Sequence, residues 1–129
     1  MSDTKKIIIV DDSIIMRSRI KQVLEPLDFL EIQEADCGAK LFELLEVDSN
    51  IDLITLDYNM PELNGLEILQ MIKDKGLAIP TIMVTTENEK DIILEAMTLG
   101  LKDYFIKPLE EDVVLPKMLK ILNIEESAS

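Results

Sequence analysis

The chain contains no histidine. That removes a histidine general base, a histidine metal ligand and a phosphohistidine, so any chemistry must run on carboxylates, hydroxyls, lysines and the backbone. A single cysteine, Cys37, leaves no intrachain disulfide and suits a reducing compartment. By itself it reads as a small buried or half-buried residue rather than a redox centre. Only 13 Lys and Arg stand against 26 Asp and Glu, giving a net charge of −13. No basic cluster interrupts the sequence, which argues against direct binding of nucleic acid or of an anionic membrane surface. No apolar run reaches the roughly 20 residues of a membrane span. The apolar IIIV after the polar MSDTKK is too short for a secretory signal, so the expected location is the cytoplasm. None of the four glycines sits in a GxxxxGK phosphate loop, which excludes a P-loop enzyme.

What is present is a globular composition. The 129 residues are 47% hydrophobic, spread along the whole length, and predict one domain over residues 1–129 with a sizeable core. Short apolar runs alternate with stretches of helical period. The runs are 7–10 (IIIV), 30–35 (LEIQEA), 53–56 (LITL), 81–84 (TIMV) and 104–106 (YFI). The first, third and fourth are continuous and fit parallel strands buried on both faces; the second alternates and fits an edge.

Five helices are predicted between and after them. The first follows Ser13 with Ile15, Met16, Ile20, Val23, Leu24 and Leu27 inward and ends at Pro26. The second runs from about Ala39 to Val47 with Leu41, Leu44 and Leu45 inward. The third opens after Asn64-Gly65, carries Leu66, Ile68, Leu69 and Ile72, and ends at Gly76. The fourth is expected to start near Asn88 as N-cap and to stop before Gly100. The fifth is expected to start at Asp112, with Pro116 in its first turn, and the tail EESAS reads as frayed. Strands alternating with helices imply an α/β, doubly wound, flavodoxin-like three-layer sandwich with right-handed crossovers. Its five-stranded parallel sheet would take the order 2-1-3-4-5.

In such a sheet, ligands bind beyond the carboxyl ends of the strands. The residues that follow the runs are Asp11-Asp12, Asp57, Thr85-Thr86 and Lys107-Pro108. Each has an ordinary reading: Asp11 or Asp12 as helix cap, Thr85 as strand end, Lys107 as solvated charge. Asp57 resists one, because it follows an inward run and an unpaired buried carboxylate is costly. Four central strands delivering polar groups to one edge point to a site. Three carboxylates repel and would push one pKa upward, and the usual remedy is a hard divalent cation. Mg²⁺ takes oxygen ligands and keeps waters and phosphate oxygens for the rest. A carboxylate beside Mg²⁺ and a lysine can act as nucleophile towards phosphorus, with Thr85 donating to a phosphoryl oxygen.

At VDDS (10–13), LDYNMPELNG (56–65), MVTT (83–86) and DYFIKP (103–108), the chain resembles the receiver domain of two-component response regulators, most closely the stand-alone chemotaxis type. The resemblance covers about residues 5–123, and a member of that family is the standard example of the 2-1-3-4-5 order. It implies that Asp57 is phosphorylated and that Asp12, Asp57 and the carbonyl of Asn59 bind Mg²⁺, with Asp11 acting on the metal through water. It implies further that Lys107 contacts the phosphoryl group, that Thr85 moves towards it, and that Tyr104 is an aromatic rotamer switch. The Lys107–Pro108 bond is often cis in such relatives.

The implied partners are a sensor histidine kinase or phosphotransfer protein upstream and a protein target downstream, such as a motility component. The target would be reached through the fourth helix, fifth strand and fifth helix of an expected monomer. Asn59 and Glu87 fall where the family tunes autodephosphorylation and are similar to the fast chemotaxis regulators. Thr86 departs from the small residue usual after the switch hydroxyl; it either slows entry of a bulky phosphodonor or simply fits the mouth. The rival functions are a receiver module of a longer transcriptional regulator, a phosphorelay shuttle, and a flavodoxin-like FMN binder. The short polar tail after Asn123 favours a complete chain over the longer regulator. Asp11-Asp12 after the first strand counts against FMN, where a Ser/Thr/Gly-rich phosphate loop is needed. Asn59 in place of a second aspartate counts against a haloacid-dehalogenase-type phosphatase.

Overall fold

The computed structural model describes residues 4–27 and 30–123. Strands β1 (Lys5–Val10), β2 (Leu30–Ala35), β3 (Leu53–Leu56), β4 (Thr81–Thr85) and β5 (Asp103–Ile106) alternate with helices. The helices are α1 (Ile14–Leu24), α2 (Gly38–Val47), α3 (Gly65–Asp74), α4 (Lys90–Thr98) and α5 (Glu111–Ile121). All neighbouring strands are parallel and the sheet order is β2-β1-β3-β4-β5. The predicted doubly wound α/β sandwich is the one found, with the alternating run LEIQEA at an edge.

The continuous apolar runs are explained by two cores. Successive side chains of a strand point to opposite faces. Ile8, Val10, Ile54, Leu56 and Met83 therefore meet α2, α3 and α4 through Leu41, Leu45, Ile68, Ile72 and Ala96. On the other face Ile7, Ile9, Leu53, Ile82 and Val84 meet α1 and α5 through Ile20, Val23, Leu24, Val114 and Met118. Ile7, Ile8, Ile9 and Val10 are each no more than 1% exposed, and a buried side chain of that size contributes roughly 2 kcal/mol. β1 and β3 are held rigidly from both sides, which fixes where their last residues point.

Several boundaries differ from the sequence reading. Ile15 is 77% exposed rather than inward. It stands one residue before Met16 on the helix, about 100° round from the stripe that Met16 shares with Ile20, Val23 and Leu24. α2 starts at Gly38, one residue before Ala39. α4 is capped by Glu89, not Asn88, because the Glu87 carboxylate accepts the Glu89 N–H at 2.9 Å and holds the loop open for one more residue. α5 is entered at Glu110, so Asp112 lies inside the helix and Pro116 falls in the second turn, where its ring costs the helix an intrahelical bond. α3 ends as expected, with Gly76 at φ 71° just beyond it. The EESAS tail lies outside the described residues.

Candidate functional site

β1 sets two aspartates at the carboxyl edge. The Asp11 N–H continues the β1–β2 ladder to the Ala35 carbonyl at 3.0 Å, and Asp11 is 1% exposed while Asp12 is exposed. Neither caps α1: Ser13 does, its hydroxyl accepting the Met16 N–H at 3.2 Å. Asp11 Oδ1 accepts the Ser13 N–H at 2.9 Å, which fixes the carboxylate plane. Arg17 Nη1 donates to the Asp11 carbonyl at 2.6 Å while its Nε donates to Glu34 at 2.8 Å. Arg17 thus ties the first loop to β2. No local spacing reveals this, because its acidic partner comes from a different strand.

β3 sets Asp57 beside them. Its N–H donates to the Val10 carbonyl at 3.0 Å, and the residue is 6% exposed. The loop that follows is pinned at its far end. The Gly65 N–H donates to the Tyr58 carbonyl at 2.9 Å. A Cβ on Gly65 would lie 2.7 Å from the Asp57 carbonyl oxygen and 2.9 Å from Tyr58 Cα, so only glycine lets α3 start this close to the acid. Asn64 and Glu67 close a reciprocal capping box at 2.9 and 2.8 Å. Asn59 is exposed in this loop, two residues beyond Asp57.

β4 and β5 supply the remaining groups. Thr85 is fully buried, and its hydroxyl accepts the Glu87 N–H at 3.2 Å. Tyr104 Oη donates to the Glu87 carbonyl at 2.8 Å, linking β5 to the loop before α4. Burial and then the Glu87 charge push the Tyr104 phenol up to about 12. The Lys107 N–H donates to the Thr85 carbonyl at 2.8 Å, and the Lys107–Pro108 bond is cis. Lys107 Nζ donates to Asp11 Oδ2 at 2.9 Å and stands 3.7 Å from Asp57 Oδ1. The lysine's close partner is therefore Asp11, and Asp57 is left with the weaker half of the interaction. Thr86 is exposed at the mouth.

Burial pushes the Asp57 carboxyl above its ordinary range; the Thr85 hydroxyl opposes this, the Asp11 charge adds to it, and Lys107 opposes it. Asp11, Asp12 and Asp57 can each bring one carboxylate oxygen to within 4.8 Å of the others. Ligands about 2.1 Å from a common ion lie roughly 3–4 Å apart, so small rotations suffice to close this set on Mg²⁺. The donors are all oxygens, one of them on an exposed residue with room for water, and a cation there would relieve the repulsion that burial intensifies. The residues fit the metal.

The response regulator receiver domain family matches residues 7–119. The chain belongs to the response regulator receiver family. The receiver is 38% identical over 118 residues to the chemotaxis protein CheY of Pseudomonas aeruginosa, with 90% of this chain and 94% of that protein covered. It is 32% identical over 123 residues to the chemotaxis protein CheY1 of Helicobacter pylori J99, with 94% and 99% covered. A solved CheX-CheY-BeF3-Mg²⁺ complex from Borrelia burgdorferi shares the fold at a TM-score of 0.83 and 24% identity, covering 91% of this chain and 88% of that one. Among the described residues, no helix is long and apolar enough to cross a membrane.

The structure brings Asp11, Asp12, Asp57, Thr85 and Lys107 to one edge and places Asn59, Glu87 and Tyr104 in the loops and strand around it. Arg17 and Gly65 are the participants that sequence reasoning missed. For Gly65 the signal was present: a glycine directly after a capping asparagine, eight residues from the acid, is where a helix start must pass close to backbone.

Proposed function

We propose that the receiver accepts a phosphoryl group on Asp57 from a phosphohistidine of a partner kinase or phosphotransfer protein, and passes the change to a protein target. The observation that carries this reading is the pairing at Asp57. A carboxylate 6% exposed, at a strand end, has two further aspartates and a lysine around it and a hydroxyl at the neighbouring strand end. An Asp57 oxygen attacks phosphorus in line, the N–P bond of the donor breaks, and the donor imidazole keeps the electron pair and takes up a proton. Lys107 balances charge on the phosphoryl oxygens and Thr85 donates to one of them. Asp11 positions Lys107 through the 2.9 Å bond. Mg²⁺, held by Asp12, Asp57 and the Asn59 carbonyl with Asp11 behind, supplies further neutralisation of phosphoryl charge when bound.

The switch would run through Thr85. Its movement towards the phosphoryl group costs the bond from the Glu87 N–H, and the Glu87 carbonyl is what Tyr104 grips. Large apolar side chains stand exposed on the elements beyond: Leu94 and Met97 on α4, Ile106 on β5 and Val113 on α5. That face suits a protein target. With chemotaxis proteins as relatives, the output is binding to a motility partner by a monomeric, cytoplasmic receiver domain over residues 1–129. The exposed Asn59 leaves the in-line path open to water, so the acyl phosphate is short-lived.

Incubation with acetyl phosphate and Mg²⁺ should add one phosphoryl mass to the intact protein, and a chelator should prevent it. Decay after donor removal should be several-fold slower in Asn59→Met. Labelling that persists in chelator would overturn the metal-assisted mechanism, and equal decay in the two proteins would overturn the rapid switch.

A further inference from the structure

Asp12 differs from the other two aspartates of the site in what holds it. Asp11 accepts bonds from the Ser13 N–H and the Lys107 ammonium, and Asp57 is buried at the end of β3. Asp12 is exposed, and among the described residues its carboxylate has no hydrogen-bond or ion-pair partner. Its direction is therefore left to the backbone. It stands alone between Asp11, whose N–H continues the ladder to the Ala35 carbonyl, and Ser13, the N-cap of α1.

Both peptide planes that flank Asp12 are pinned. The plane on its carboxyl side carries the Ser13 N–H, which donates to Asp11 Oδ1 at 2.9 Å. The plane on its amino side carries the Asp11 carbonyl, which accepts from Arg17 Nη1 at 2.6 Å. Peptide units are planar, so fixing both of them aims the Asp12 Cα–Cβ bond. The first pin lies within the loop. The second reaches outside it, because Arg17 Nε also donates to Glu34 Oε1 of β2 at 2.8 Å. Lys21 Nζ donates to the other Glu34 oxygen at 2.8 Å, and among the described residues it makes no bond to the loop. The Arg17 side chain is 14% exposed and the Lys21 side chain 42%, so the first is held in place and the second is a surface partner. A planar guanidinium serves two acceptors on different elements at fixed angles, whereas a lysine there would be a mobile point charge.

We infer that Arg17 is a positioning residue for the metal: clamped by Glu34, it sets the 11–12 peptide and with it the reach of Asp12 towards Mg²⁺. The inference rests on the reading of Asp11, Asp12 and Asp57 as the Mg²⁺ site. Charge and position make opposite demands here. A guanidinium beside the acids repels a divalent cation, so an effect of charge alone would tighten Mg²⁺ binding once Arg17 is removed. Loss of position weakens it. A tie that served only the contact between α1 and β2 would lower stability and leave metal affinity where it was.

The test is a titration of the full chain with Mg²⁺ alone, without phosphodonor, at neutral pH and constant ionic strength. The amide shifts of Tyr58 and Asn59 report binding, and melting curves in chelator report stability. Arg17→Lys and Arg17→Ala should each weaken Mg²⁺ binding about tenfold, the lower end of what an outer partner of a metal ligand contributes. Lys21→Ala removes a cation from Glu34 but leaves the clamp, and should keep the affinity within about twofold of wild type. Arg17 variants that bind Mg²⁺ as wild type does, or more tightly, would overturn the inference. So would a Lys21→Ala protein weakened as much as Arg17→Lys. Where Arg17→Ala does not fold, Arg17→Lys, which keeps the charge, decides the outcome. A wild-type chain that does not bind Mg²⁺ overturns the metal site itself, a result distinct from wild type and Arg17→Lys binding equally well.

Discussion

The two ends of one sheet treat charge in opposite ways. At the amino end, charged groups are exposed or partly exposed, and the pair that Lys6 makes stands at the surface. Lys6 Nζ donates to Asp48 at 2.7 Å, and the Lys6 N–H donates to Asp52 at 2.8 Å. At the carboxyl end, Asp11 and Asp57 are buried and Lys107 half-buried, and the two buried carboxylates share this one lysine, whose close contact goes to Asp11. The first arrangement is what folding alone favours. The second costs stability and persists only where its components are needed for something else.

The sharpest way to test this contrast is through two glycines. Gly65→Ala drives a methyl into the Asp57 carbonyl at 2.7 Å and should cost about 3 kcal/mol in urea unfolding while displacing the acid. Gly76, towards the other end, has open space around it and only its φ of 71° at stake, so Gly76→Ala should cost about 1 kcal/mol. Equal costs would mean that the acidic loop yields and the carboxyl edge is not rigidly built.

Removing the disputed charge should have the opposite sign. In chelator at neutral pH, Asp57→Asn should stabilise the protein by about 1–3 kcal/mol, because a buried, poorly paired carboxylate becomes a neutral amide. Asp48→Asn at the other end removes an exposed partner of Lys6 and should destabilise slightly. If both substitutions destabilise, the carboxyl edge is not under strain.

Acid titration separates the same effects by sign. Asp57 has its pKa raised, so it binds protons more readily folded than unfolded, and its penalty is relieved as pH falls towards its raised value. Glu34 is held low by Lys21 and then Arg17; its stabilisation is complete above the usual carboxylate range and is lost as pH falls through its depressed value. Wild type in chelator should therefore gain stability before losing it on acidification, and Asp57→Asn should only lose it. The smallest effect lies at Tyr104. Its phenolate absorbance should appear only near pH 12, and stability should fall between the ordinary tyrosine pKa near 10 and that value. Titration of Tyr104 near 10 would show the Glu87 contact to be loose.

The sheet was legible because both-face burial leaves continuous runs such as IIIV and LITL, and because the residue after each run is fixed by the run itself. That also made the gathering of Asp11, Asp12, Asp57, Thr85 and Lys107 readable. Helix entries were less so. The start of α4 depends on where the Glu87 carboxylate turns, and Pro116 sits in α5 because tertiary packing of Val114 and Met118 outweighs its local penalty. Ile15 misled because one residue of phase moves a side chain off the buried stripe. Lys107's preference for Asp11 over Asp57 is a matter of tenths of an ångström to an ångström in space, which no spacing in sequence encodes.

The central claim is that Asp57 itself takes the phosphoryl group. Acyl phosphates are reduced by borohydride to the alcohol, so wild type treated with acetyl phosphate and Mg²⁺ and then with borohydride should yield a peptide with homoserine at position 57. Reduction at Asp11 or Asp12, or phosphate retained on a hydroxyl such as Thr85 or Thr86 with Asp57 intact, would contradict the account.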